Sequence, residues 1–219
     1  MLLDSSSTPD DSIFMTTKNN LLRNTLYFLV FSIASLSLTS HAGVYTLTQF
    51  HNEGDWSLGL EPEITLSSGS GFGLNTKFTY GLSSLSNVQF GIGPGSGARG
   101  FRIGGGYTWD FIPDLDGQVG TGIAAQIYFY RLRSGSNQTE FTLSPYVHKG
   151  FKLNNGTSVD PYVSLPFGMA LLDRNYRGIL TLATGAFFRL TPTFAYSAEL
   201  GLNIANNDSY IAGGVTYFH

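Results

Sequence analysis

The sequence predicts an all-β fold, an antiparallel up-and-down transmembrane β-barrel of about ten strands. Three observations carry this expectation. From Trp56 to the C-terminus, strand-length runs alternate apolar with small or polar residues, and each run ends in a turn. Strand side chains point to opposite faces with period two, so each run is a strand with one apolar face. The second observation is the chemistry of the other face: Gly, Ser, Thr, Asn and Gln with few charges. Charged residues make up only 12% of the chain while aromatics reach 14%, against roughly 25% charge in soluble domains. That surface would be poorly solvated facing water; it suits a barrel with lipid outside and a polar lumen inside. Third, the links are short, which makes consecutive strands antiparallel neighbours, since parallel crossovers are much longer.

The elements follow in order. Residues 1–14 are acidic and polar and read as an extension upstream of a true initiator at Met15. Lys18 and Arg23 then precede an apolar run from Leu26 to Leu36, followed by small residues at Ser40 and Ala42. This is the pattern of a cleavable secretory signal over 15–42, cut after Ala42. The run is shorter than the roughly 20 residues of a spanning helix. Residues 43–219 form the barrel.

The strands are expected at 56–66, 72–82, 86–93, 99–111, 118–130, 140–152, 158–171, 178–190, 193–204 and 210–219. The second shows the alternation plainly: Phe72, Leu74, Thr76, Phe78 and Tyr80 on one face, Gly73, Asn75, Lys77, Thr79 and Gly81 on the other. The weak third strand leaves eight strands as the alternative count. Asn154-Asn155-Gly156 supplies residues that tolerate positive φ in a tight hairpin. Pro113–Gly117, Thr191-Pro192-Thr193 and Ser83-Ser84-Leu85 are also short turns, whereas Asp173–Tyr176 and Asn206–Asp208 read as slightly longer links.

Alternate turns share one end of the barrel, so outward aromatics can be sorted by end. The short-turn end collects Trp56, Tyr80, Trp109, Phe111, Phe151, Phe188, Phe194 and Tyr217. Phe72, Phe90, Phe101, Phe129, Phe141 and Phe167 gather at the other. Two aromatic rings are what a barrel shows where it meets its two membrane interfaces. A soluble lipocalin-like barrel would share the alternation but point its apolar face inward.

Several chemistries are excluded. The chain has no cysteine, so it has no thiolate site and no disulfide, and its net charge of −3 speaks against a nucleic-acid partner. Gly95-Ser-Gly97-Ala-Arg-Gly100 and Gly120-Thr-Gly122-Ile-Ala-Ala125 match dinucleotide fingerprints, yet neither leads into the helix that would hold pyrophosphate. His51, His148 and His219 lack metal-ligand spacing. No cofactor is expected.

With a signal segment, ten alternating strands and a last strand reading Tyr210-Ile-Ala-Gly-Gly-Val-Thr-Tyr-Phe-His219, the chain resembles the small, porin-like outer-membrane β-barrel proteins of Gram-negative bacteria. The resemblance implies a bacterial outer-membrane location, lipid as the surrounding partner, and recognition of the terminal strand by the barrel-assembly machinery. In that group the last residue is usually Phe. Here Tyr217, Val215 and Ile211 fit the alternation and His219 stands in place of Phe. The asparagine sequons have no meaning in such a membrane, and the chain is expected to be a monomer. Enzymes of this architecture carry Asp-His or Ser-His constellations near the outer rim, and no such constellation is legible.

The inward charges are the candidate functional set: Glu61, Glu63, Lys77, Arg102, Asp110, Glu140, His148, Asp160, Arg189 and Glu199 as lumen-lining residues, with Arg131 and Lys152 assigned to the same face. Buried charges of opposite sign are expected to pair. Ten strands enclose little more than side chains can fill, while many inward glycines leave space. The expected function is therefore a non-enzymatic barrel, either a narrow pore for small polar solutes or a structural membrane element. A membrane enzyme acting on lipid or peptide is the alternative.

Overall fold

The computed structural model describes residues 51–67, 70–97, 99–115, 117–153 and 156–219. The extension at 1–14 and the signal at 15–42 lie outside the described residues, as do Asn154 and Asn155 of one expected turn. The strands are β1 (Trp56–Thr65), β2 (Gly71–Ser83), β3 (Ser86–Pro94), β4 (Arg99–Ile112), β5 (Gly120–Leu132), β6 (Asn137–His148), β7 (Phe151–Lys152), β8 (Ser158–Ser164), β9 (Phe167–Leu172), β10 (Asn175–Arg189), β11 (Phe194–Ala205) and β12 (Tyr210–Phe218).

These segments make ten staves, all paired antiparallel. β8 and β9 are two halves of one stave, each lying between β6 and β10. The two-residue β7 continues the line of β6 and pairs with the start of β8. β1 pairs with both β2 and β12, which closes the sheet into a barrel. β3 stands as a stave of its own between β2 and β4, so the count is ten and not eight.

The seventh stave breaks at Leu165-Pro166, where proline has no N–H to give the ladder. The neighbours compensate: Leu165 N–H donates to the Pro145 carbonyl (3.0 Å) and Thr181 N–H to the Pro166 carbonyl (2.9 Å). One link is shorter than expected. Asp173 and Arg174, at φ 45° and 73°, form a two-residue hairpin, so β10 starts at Asn175 and not at 178. Positive φ at both central residues matches the right-handed twist of the flanking strands.

The wall is inside out relative to a soluble barrel. Phe78 and Leu202 are 42% and 37% exposed, with Leu58, Phe90, Trp109, Ile127, Val163 and Ile211 among the many outward residues like them. The alternate positions, including Ser57, Asn75, Thr79, Gln89, Thr108, Gln126 and Thr142, are buried. Apolar outside and polar inside is the distribution of a transmembrane barrel, in which closure satisfies every stave within the sheet.

Both chain ends of the barrel meet at the short-turn end. His219 stacks on Trp56 with ring centroids 4.8 Å apart, and its N–H donates to the Trp56 carbonyl (3.0 Å). His219 thus continues β12 on the outward parity of Tyr217 and Val215, while Phe218 turns inward.

Candidate functional site

The interior is built from the inward parity of each strand. Glu61, Glu63, Lys77, Arg102, Asp110, Glu140 and Glu199 are buried inside the barrel. His148, Asp160 and Arg189 sit at the short-turn mouth and are partly covered. Arg131 and Lys152, by contrast, are exposed. Arg131 has the outward parity of Ile127 and Phe129 and reaches Asn137 Oδ1 at 3.1 Å. Lys152 lies past the interruption of β6, beyond the polar interior.

Four clusters organise the interior. Lys77 is ion-paired with Glu61. Arg102 lies 3.6 Å from Glu63 Oε2 and stacks 4.9 Å above the Tyr128 ring, so a carboxylate and an aromatic face share its charge. Glu199 accepts hydrogen bonds from two phenols, Tyr162 on one oxygen and Tyr210 on the other (2.6 Å). Asp110 accepts from the Tyr146 hydroxyl and lies 2.9 Å from His148 Nε2, while His148 Nδ1 faces Asp160 at 3.1 and 3.3 Å.

The tyrosines fill the space that inward glycines open. Gly104, Gly122, Gly185 and Gly201 stand directly opposite Tyr128, Tyr146, Tyr162 and Tyr210 on the neighbouring strand. A Cβ at Gly201 would come within 2.0 Å of the Tyr210 ring, and one at Gly122 within 2.3 Å of the Tyr146 hydroxyl. Each ring therefore lies over its glycine and reaches into the lumen with its hydroxyl. Two voids beside Arg102 offer about 20 and 10 Å³ to the centre of a water molecule. That is room for about one water each.

The chemistry of the His148 cluster follows from its geometry. Both ring nitrogens face carboxylates, an arrangement that the imidazolium satisfies with its two donors. Neither nitrogen is left to take a proton from a nucleophile, so the cluster ties β4, β6 and β8 together without forming a general-base dyad. No group of three or more His, Asp or Glu among the described residues could hold a metal ion. Sequence reading placed Asp110, His148 and Asp160 on one face but did not join them. They stand 38 and 12 residues apart, and only the strand register brings them together.

No protein-family model and no curated protein matches the sequence. Solved structures that align with it include the beta domain of the Bordetella autotransporter Brka, at 13% identity over 76% of this chain and 99% of that one (TM-score 0.49). An outer membrane channel from Pseudomonas putida F1 aligns at 8% identity over 81% and 100% (TM-score 0.48). A de novo designed transmembrane beta-barrel aligns at 15% identity over 78% and 99% (TM-score 0.40).

Proposed function

We propose that this chain is a non-enzymatic integral barrel of a bacterial outer membrane whose interior is filled, so that it rests closed and acts as a structural membrane element. The observation that carries the reading is the packed interior. Glu61–Lys77, Glu63–Arg102–Tyr128, Glu199–Tyr162–Tyr210 and Asp110–Tyr146–His148 join inward side chains of neighbouring and nearby staves and occupy the lumen with paired polar groups. The voids beside Arg102 are of single-water size. A solute would have to separate paired, desolvated charges to pass, which is costly.

Three further points belong to this reading. The segment 15–42 is removed on export and both barrel ends face the periplasm. The terminal strand, with His219 in the outward register, is what the assembly machinery engages. The barrel acts as a monomer among lipids. Planar-bilayer recording of the refolded chain tests the central claim. We expect silence at neutral pH; discrete conductance steps would show a pore and overturn the closed reading.

A further inference from the structure

The short-turn mouth carries charges that the filled interior does not use. One part of it is occupied: His51 is buried, stacks on Phe218 with centroids 5.2 Å apart, and donates its backbone N–H to Asn87 Oδ1 (3.3 Å). Another part is an open cup of about 270 Å³ lined by Ser84, Asp110, Asp114, His148, Asp160 and Arg189. Three opposite-charge pairs already lie there: Asp110 with His148 (2.9 Å), Asp160 with the other nitrogen of His148 (3.1 Å) and Asp114 with Lys149 (2.6 Å).

Arg189 is different. Its guanidinium lies 4.2 Å over the Phe218 ring, and its buried Nε has no hydrogen-bond partner among the described residues. Asp160 presents the opposite charge. It faces His148 Nδ1 and its side chain is 25% exposed, which leaves acceptor capacity toward the cup.

The two residues stand on adjacent strands with a two-residue offset: Arg189 is opposite Ser158, and Asp160 is opposite Phe187. Diagonal neighbours of this kind have backbone positions about 7–8 Å apart, no ion pair joins these two, and both side chains line the same cup. One small molecule in the cup meets both groups and can make a charge-assisted hydrogen bond to each.

We infer that the cup binds small zwitterions of the α-amino-acid type, with the ligand carboxylate on Arg189 and its ammonium on Asp160. A simple anion meets the carboxylates of Asp110, Asp114 and Asp160. A simple cation meets Arg189 and His148. Only a ligand carrying both signs complements both ends of the cup. This inference rests on the mouth alone and goes beyond the closed-barrel reading.

The test is calorimetric titration of the full chain, refolded in detergent, with glycine, acetate and methylammonium. Glycine is expected to bind about tenfold tighter than either half-ligand. Arg189→Gln should weaken glycine by about tenfold or more, and Asp160→Asn should erase its advantage over acetate. Retained heat-modifiable migration on gels shows that each variant is still folded. Absence of glycine binding across the millimolar range, acetate or methylammonium matching glycine, or a folded Arg189→Gln that binds glycine unchanged would each overturn the proposal.

Discussion

Arg102 shows how much one inward charge controls. Its guanidinium is buried 3.6 Å from Glu63, and the Tyr128 face supplies the rest of its environment. Removing one member of a buried pair leaves the other charge desolvated, at a cost of roughly 3–5 kcal/mol. We expect Arg102→Ala to lower the unfolding free energy in micelles by that order. Arg174→Ala, exposed in the β9–β10 hairpin, should change it by less than about 0.5 kcal/mol. Urea unfolding of the two variants decides the matter; the opposite ranking would mean that the interior charges lie in freely hydrated space.

At the scale of elements, the irregular seam between β6 and β8 stands out. These strands share three register pairs, and Lys149-Gly150 interrupts the line before β7. A latch to the β4–β5 turn compensates. The Lys149 ammonium donates to Asp114 Oδ1 (2.6 Å) and to the carbonyls of Leu115 (2.8 Å) and Gln118 (2.7 Å), and Gly150 N–H donates to Asp114 Oδ2 (2.7 Å). Burial pushes the Asp114 carboxyl up, but the Lys149 hydrogen bond, the Gly150 N–H and the Lys149 charge outweigh it and hold the group below its ordinary 3.8. A carboxylate depressed on folding contributes stability above its unfolded value, and that stability is lost as pH falls through the folded value. The melting-temperature gap between the natural chain and Asp114→Asn should therefore be full at neutral pH and shrink below about pH 4. A gap independent of pH would assign the loss to packing and not to the charge.

For the whole molecule, the decisive property is which face meets lipid. The absence of cysteine makes a labelling scan clean. Single cysteines at Phe78, Phe90 and Leu202 should carry fluorophores that a lipid-borne quencher reaches, whereas Gln89→Cys and Thr142→Cys should stay protected. The pattern is expected to alternate along each strand with period two. Quenching at Gln89 with protection at Phe78 would turn the wall right side out and remove the membrane reading with it.

Strand count, strand direction and the inward or outward parity of nearly every residue were legible in the amino-acid order, because period-two alternation is a local property that the backbone pleat enforces. Phe72 to Tyr80 carried that information without any knowledge of a neighbour. Parity also explains the misassignment of Arg131, whose odd position already matched Ile127 and Phe129. What the order alone left open was how the lumen is used. The inward glycines read as free space, yet register sets Gly104, Gly122, Gly185 and Gly201 opposite tyrosines that fill it. The Asp110–His148–Asp160 cluster and the isolation of Arg189 likewise arise from strands far apart in sequence. Cross-strand register is a non-local quantity, fixed by turn geometry and the shear of a closed barrel, so only the tertiary structure could decide which inward side chains meet.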